Sequence, residues 1–130
     1  MEIANWMSRS PACISPNDTL AAAKKLMDAG RFRRLPVVEN DKLVGIITER
    51  DLRQHWGYLD STKVDAAMTP DPVTVTPRDT AENAARMMLQ HKIGGLPVVD
   101  NRKLVGILST SDLMRALLNV IQAAEHIMDD

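Results

Sequence analysis

The chain has 130 residues, which is room for one compact unit with a sizeable core rather than for several domains. Its 16 basic and 17 acidic residues leave a formal charge of −1, and this balance argues against a nucleic-acid-binding protein. A content of 45% hydrophobic and 25% charged residues is typical of a folded soluble protein. No apolar run approaches the roughly 18 residues of a membrane-spanning helix, so we expect no membrane association.

The N-terminal residues and the cysteine content indicate a cytoplasmic protein. The stretch 1–5 lacks the basic and apolar segments of a secretory signal. Cys13 is the single cysteine, which excludes an internal disulfide, and we expect it to be a small buried residue on a strand. His55, His91 and His126 are scattered without metal-ligand spacing, so we expect no metal site.

The chain contains an internal duplication. Shifted by 61 residues, the segment 7–53 aligns with 68–114 without a gap, and 19 of the 47 aligned residues are identical. The sequence therefore predicts two similar units that together form one globular module. We define repeat 1 as residues 1–60 and repeat 2 as residues 61–130.

Each repeat follows the order strand, helix, strand, strand, helix, which predicts an α+β fold. The first strand is short and stops at a proline, the first helix buries small residues, and the two middle strands form an apolar hairpin. In repeat 1 we expect Asn17 or Asp18 to cap the first helix and Gly57 to end the second. The predicted segments are strands 12–15 and 73–76, helices 20–29 and from 81, and hairpins 37–47 and 98–108, with turns at 39–41 and 100–102.

The second helix of each repeat begins with the same signature. Thr48-Glu49-Arg50-Asp51 and Ser109-Thr110-Ser111-Asp112 both place a hydroxyl three residues before an acid, which is typical of a helix start. In repeat 2 an apolar stripe continues from Leu113 to Met128, further than one small repeat needs to cover its core. If the protein is a structural dimerisation scaffold, this stripe would form its interface.

These motifs resemble those of a known family. Ala67-Met68-Thr69-Pro70, the two Leu-Pro-Val-Val segments, and Gly45–Leu52 with its copy Gly106–Leu113 occur in order and in register. With them the chain resembles a tandem pair of cystathionine-β-synthase (CBS) domains, a Bateman module. The resemblance implies two repeats packed with pseudo-two-fold symmetry and two equivalent clefts. In that family the clefts bind adenosine compounds such as AMP, ADP, ATP or S-adenosylmethionine.

The resemblance also implies which residues line the clefts. Each cleft combines the first strand and the segment before Leu-Pro of one repeat with the helix start of the other. The first cleft then contains Arg9, Ile14, Phe32, Arg33, Arg34, Ser109, Ser111 and Asp112. The second cleft contains Thr69, Pro70, Val75, Gly94, Gly95, Thr48, Arg50 and Asp51.

The chemistry of the two helix starts fits a ribose and a phosphate. The carboxylates of Asp51 and Asp112 can each accept hydrogen bonds from vicinal ribose hydroxyls. The hydroxyls of Thr48 and Ser109 lie where helix N–H groups favour a phosphate. The alternative is that the hydroxyls only cap the helices and the acids only offset the helix dipoles.

The two repeats differ in charge before Leu-Pro. Repeat 1 has Arg31-Phe32-Arg33-Arg34 where repeat 2 has Lys92-Ile93-Gly94-Gly95. Because guanidinium groups suit phosphate oxygens, we expect the first cleft to prefer a phosphorylated ligand. A solvated surface turn is the alternative for the arginines. The second cleft has Arg50 nearby, and its glycines would either admit a bulkier ligand or form a loose turn.

Together these features predict a non-catalytic sensor. A homodimer would bind an adenosine-containing ligand, with magnesium accompanying a triphosphate, and signal by a conformational change to an effector protein that the sequence does not identify. The alternative is a structural dimerisation scaffold with degenerate clefts. The sequence contains no paired acid and base and no activated nucleophile, so it does not predict an enzyme. The charge balance disfavours nucleic-acid binding, which Arg31, Arg33 and Arg34 leave open.

Overall fold

Helices and strands follow the predicted order in both repeats of the computed structural model, which describes residues 1–129. The α+β fold with one strand, helix, strand, strand, helix unit per repeat is confirmed. A short helix, α3, precedes the first strand of repeat 2. In chain order the elements are a 3₁₀ turn (Ile3–Asn5), β1 (Ser8–Arg9), α1 (Leu20–Gly30), β2 (Arg34–Glu39), β3 (Lys42–Thr48), α2 (Glu49–Gln54), α3 (Val64–Ala67), β4 (Thr69–Pro70), α4 (Ala81–His91), β5 (Gly95–Asp100), β6 (Lys103–Ser109) and α5 (Thr110–Asp129).

Two antiparallel hairpins, β2–β3 and β5–β6, form the centre of the sheet. Asn40 and Asp41 have φ angles of 52° and 63°, and Asn101 and Arg102 have φ angles of 51° and 66°. Positive φ at both central residues is the mark of a two-residue type I′ turn, whose twist matches that of the strands. The turns are therefore one residue shorter than the sequence predicts, because Glu39 pairs with Lys42 and Asp100 pairs with Lys103.

The first strand of each repeat adds to the hairpin of the other repeat. β1 pairs antiparallel with β6, and β4 pairs antiparallel with β3. The two hairpins meet directly only where Lys42 faces Lys103, among the described residues. That Lys42–Lys103 pair is therefore what joins the two three-stranded halves into a single sheet, and each short strand links the chain of one repeat to the hairpin of the other.

The strands predicted at 12–15 and 73–76 are wrong as regular strands. Only Ile14 and Val75 pair there, each in an isolated parallel bridge to β2 or β5. Prolines flank both segments in the sequence, and a proline has no N–H with which to extend a ladder. Without strand neighbours on both sides Cys13 is exposed rather than buried, which corrects the prediction for this residue.

The first helix of repeat 1 is capped by Thr19 rather than by Asn17 or Asp18. The Thr19 hydroxyl accepts a hydrogen bond from the backbone N–H of Ala22. Asp18 instead accepts from the N–H of Ser15, which closes the turn before the helix. Thr80 caps α4 in the same way. The second helix of repeat 1 ends at Gln54, and a turn leads on to Gly57.

Each repeat has its own hydrophobic core, and each core includes residues from the start of the other repeat. The core of repeat 2 contains Ile3 and Met7. The core of repeat 1 contains Val64, with Met68 packed against it. Backbone hydrogen bonds fix both crossings, since Ala81 N–H donates to the carbonyl of Met1 and the equivalent bond joins residues 20 and 62.

The long C-terminal helix is confirmed as α5, but only its first turns pack on the rest of the protein. Leu113 contacts the core of repeat 2 and Ala116 is buried. Beyond them the apolar stripe faces solvent, and Leu117 and Ile121 are 51% and 42% exposed. Within residues 1–129 no helix combines the length and hydropathy needed to cross a membrane.

Candidate functional site

Two cavities lie between the repeats and are related by the internal symmetry. The first has a volume of about 580 Å³, and the second has a volume of about 430 Å³. Each is bounded by a short strand and the segment before Leu-Pro from one repeat, and by the helix start of the other. Twelve of the fourteen residues that line the second cavity are repeat equivalents of residues lining the first. We call them the first and second clefts, as in the sequence analysis.

The structure brings most of the predicted cleft residues together. The first cleft is lined by Arg9, Phe32, Arg33, Arg34, Ser109, Ser111 and Asp112. The second cleft is lined by Thr69, Gly94, Gly95, Thr48, Arg50 and Asp51. Ile14 and Val75 do not line the clefts, because their side chains belong to the two cores. Pro70 also lies outside the second cleft, where it pairs with Gly45 in the sheet.

Sequence reasoning missed about half of the lining residues. These are Ser8, Ser10, Pro11, Ala12, Arg31, Pro36, Ile107 and Thr110 in the first cleft, and Arg34, Ile46, Gln54, Pro72, Val73, Lys92, Ile93 and Pro97 in the second. A signal for several of them was present, since Pro36 with Pro97 and Ile46 with Ile107 are identical pairs in the repeat alignment.

A larger cavity, of about 840 Å³, lies between α1 and α2. Its apolar lining consists of Met27, Phe32, Leu52 and Trp56, and all of its lining residues belong to repeat 1. It contains neither helix-start motif aspartate. Size alone therefore does not distinguish the cavities, but the two clefts differ from this one in bringing a helix-start aspartate and basic residues together across the repeats.

Asp112 closes the helix start in the first cleft and is 2% exposed. Its Oδ2 accepts a hydrogen bond from the backbone N–H of Ser109 at 2.7 Å, and its own N–H donates to the Ser109 hydroxyl at 3.2 Å. Its Oδ1 accepts from the guanidinium of Arg115, a side chain that is 60% exposed. A ribose hydroxyl bound at Oδ1 would therefore compete with an exposed arginine side chain.

Asp51 holds the same position in the second cleft. Its Oδ2 accepts from the backbone N–H of Thr48 at 2.8 Å and from the Thr48 hydroxyl at 2.9 Å. Its Oδ1 accepts no hydrogen bond from any residue in the described part of the chain. One carboxylate oxygen thus completes the capping box, and the other is left for a ligand. Capping and ligand binding are compatible functions of one side chain.

Arg34 lines both clefts. Its guanidinium lies against the backbone of Gly94 and Gly95 and is half-buried. Burial, and secondarily the neighbouring charge of Arg33, lowers the pKa of Arg34 below its ordinary value. Within residues 1–129 no carboxylate forms an ion pair with it. The group remains a cation at neutral pH, because an arginine pKa starts so far above 7.

Metal binding finds no support in the geometry. Among the residues that the structure describes, no three His, Cys, Asp or Glu side chains come close enough together to hold a metal ion. The clefts instead supply arginines, hydroxyls, backbone groups and one acid each. Such a set suits a polar organic ligand with a sugar and an anionic group.

Comparison with known proteins gives the same family for both repeats. The CBS domain model matches residues 2–57 and again residues 64–119. A CBS domain-containing protein of Dictyostelium discoideum is 37% identical over 131 aligned residues, covering 89% of this chain and 90% of the relative.

Two solved structures with bound ligands have the same fold. The CBS domain pair of protein MJ0100, in complex with 5-methylthioadenosine and S-adenosyl-L-methionine, superposes with a TM-score of 0.85 at 27% identity, covering 92% of this chain and 97% of that one. CBSX2, a protein of Arabidopsis thaliana solved in complex with AMP, superposes with a TM-score of 0.81 at 28% identity and the same coverage of both chains. On the evidence of the two matched repeats and these relatives, the chain belongs to the CBS domain family as a tandem pair.

Proposed function

We propose that this CBS pair is a non-catalytic sensor that binds an adenosine-containing ligand in its clefts and transmits occupancy to a partner protein. The observation that carries the proposal is the composition of each cleft. In each cleft, the helix-start aspartate of one repeat faces the segment before Leu-Pro of the other. A ligand that contacts both sides would bind one relative placement of the repeats better than another, which is the condition for signalling.

The first cleft is the better site for a phosphorylated ligand. Four arginines line it, Arg9, Arg31, Arg33 and Arg34, against the single acid Asp112. The second cleft is smaller and has two arginines and one lysine. Guanidinium groups bind phosphate oxygens in a planar, bidentate way that a lysine does not reproduce. AMP, ADP or ATP in the first cleft, with magnesium accompanying only a triphosphate, is the assignment we favour over S-adenosylmethionine.

Thermal unfolding of the wild-type protein tests the proposal directly. AMP, ADP, ATP and S-adenosylmethionine are each added in excess, with GMP as the control for base identity. A ligand that binds the native state at a hundredfold excess over its dissociation constant adds about 2.7 kcal/mol of stability and raises the unfolding midpoint. A set of flat curves with all four adenosine ligands would contradict the sensor function.

Asp112→Ala and Asp51→Ala then locate the ligand. Each substitution removes the carboxylate from one cleft, so the ligand-dependent rise should fall in one variant when a single cleft is occupied. Each also removes the acidic half of a capping box, and loss of a capping hydrogen bond costs about 0.5–2 kcal/mol. Thr80→Ala is the matched control, because it removes the cap of α4 outside both clefts. It should lower the midpoint to a similar degree and keep the full response to ligand.

A dimerisation scaffold is the second candidate function. The observation that favours it is the exposed apolar stripe of α5, which includes Leu117 and Ile121. Homodimerisation through this stripe belongs to our proposal in either case, together with a cytoplasmic location. The two functions differ in the clefts, since a scaffold needs no ligand there.

A further inference from the structure

We propose that Arg34 is a binding residue shared by the two clefts, so that an anionic ligand in one cleft weakens binding of an anionic ligand in the other. This inference rests on the proposed function and adds a coupling between its two sites. The repeat alignment places Arg34 opposite Gly95, so the chain carries one such arginine where two-fold symmetry would give two.

The two equivalent positions meet in space. A Cβ built on Gly95 would lie 2.5 Å from Arg34 Cδ and 2.9 Å from its Nε. A Cβ on Gly94 would lie 2.8 Å from Arg34 Nη2. A Cβ at either position would therefore require the Arg34 side chain to move. The glycines of repeat 2 therefore form a notch that receives the arginine of repeat 1.

This notch explains the exception to the symmetry of the clefts. Arg34 and Gln54 are the two residues lining the second cleft that have no repeat equivalent lining the first. Arg34 belongs by position to the first cleft, together with Arg33, yet its guanidinium reaches the floor of the second beside Gly94 and Gly95. The structure thus offers one cation to two sites.

Charge then makes the two sites dependent on each other. The Arg34 guanidinium is half-buried and has no carboxylate partner among the described residues, so an anion at either end of it is favoured. The first anion neutralises that cation. A second anion, arriving in the other cleft, meets a neutralised pair and the negative charge of the first ligand. Because coupling between sites is reciprocal, the effect has the same size whichever cleft fills first.

Titration calorimetry on the full chain measures the coupling. The probe is whichever of AMP, ADP and ATP binds most tightly, and uncharged adenosine is the control. Asp51→Ala reports the affinity of the first cleft alone, and Asp112→Ala reports that of the second. In the wild-type protein the second molecule of nucleotide should bind at least about fivefold more weakly than its cleft does alone. Two molecules of adenosine should bind without this loss.

Arg34→Gln, which removes the charge and keeps a polar side chain, tests the residue itself. Combined with each aspartate variant, it should weaken nucleotide binding at least about tenfold in both clefts. Arg33→Gln is the matched control, since Arg33 lines the first cleft and not the second. Arg33→Gln should weaken nucleotide binding when it is combined with Asp51→Ala, which leaves only the first cleft. It should have no effect when it is combined with Asp112→Ala, which leaves only the second.

The outcomes separate the inference from the function beneath it. The sharing of Arg34 is overturned if both clefts of the wild-type protein bind nucleotide as tightly as each cleft does alone in the aspartate variants. It is also overturned if Arg34→Gln weakens binding in one cleft only. Either result leaves the sensor function intact. Failure of all three nucleotides, of adenosine and of S-adenosylmethionine to bind the wild-type protein overturns both.

Discussion

Arg102 occupies a backbone conformation that its side chain disfavours. It is the second central residue of the β5–β6 turn and has a φ of 66°. Left-handed backbone costs a residue with a Cβ about 1–2 kcal/mol, and glycine escapes that cost. The equivalent residue in repeat 1 is Asp41, and a short polar side chain tolerates this region better.

Arg102→Gly should therefore stabilise the protein by about 0.5–1 kcal/mol, after allowance for the greater freedom of glycine in the unfolded chain. Urea unfolding at constant slope measures the change. Arg102→Ala is the control, because it removes the charge and keeps the strain. An equal gain from alanine would mean that the charge, not the φ angle, is what matters.

Elements meet most closely where β1 and β4 lie on the central hairpins. A Cβ on Gly106 would lie 2.8 Å from the backbone oxygen of Ser8, and one on Gly45 would lie 2.9 Å from that of Thr69. Glycine at these two positions is thus what lets a short exchanged strand pair with its hairpin. Both short strands end at a cleft, since Arg9 lines the first and Thr69 lines the second.

Gly106→Ala should push β1 away from β6 and destabilise the protein by about 1–3 kcal/mol, as overpacking of a close contact does. It should also weaken ligand binding in the first cleft and spare the second, and Gly45→Ala should do the reverse. Chemical unfolding and calorimetry on the two variants check both statements. Lys25→Ala, on the exposed face of α1 and outside both clefts, should leave stability and binding unchanged. Equal losses in both clefts from either glycine variant would contradict the assignment.

At the scale of the whole molecule, most of the apolar face of α5 is left uncovered by the rest of the described chain. Its turns beyond Ala116 extend past the core with their apolar residues exposed, which is the arrangement expected of a helix that packs against a second copy. Leu117→Glu combined with Ile121→Glu places two charges on that stripe.

Sedimentation velocity should show a dimer for the wild-type protein and a monomer for this double variant. Asn119→Glu, on the other face of the same helix, should remain a dimer. A wild-type monomer, or a dimer that survives both glutamates, would remove α5 from the interface.

Much of the fold could be predicted because the sequence pattern of each main element occurs in both repeats. The hairpins and long helices are set by local patterns of apolar residues and by capping motifs such as Thr48 with Asp51. The two-residue strands β1 and β4 could not be predicted. Ser8 and Arg9 have no strand pattern, and their pairing depends on the backbone of β6 rather than on their side chains.

The cleft residues divide in the same way. Those in helix starts and in the segments before Leu-Pro could be found from motifs, and the structure places them on the cavities. Arg34 in the second cleft could not, because that contact joins positions 61 residues apart and depends on the absence of a side chain at Gly95. Ile14 and Val75 were misplaced since a strand position alone does not show which face is covered.

The exchange of leading segments between the repeats has a consequence for the order in which the protein forms during synthesis. Ile3 and Met7 are synthesised before the rest of repeat 1, yet their place is in the core of repeat 2, which follows repeat 1 in the chain. Repeat 1 in turn needs Val64 and Met68 to complete its own core, so it cannot finish folding as residue 60 emerges. Ile3 and Met7 therefore cannot reach their native contacts until repeat 2 has been translated.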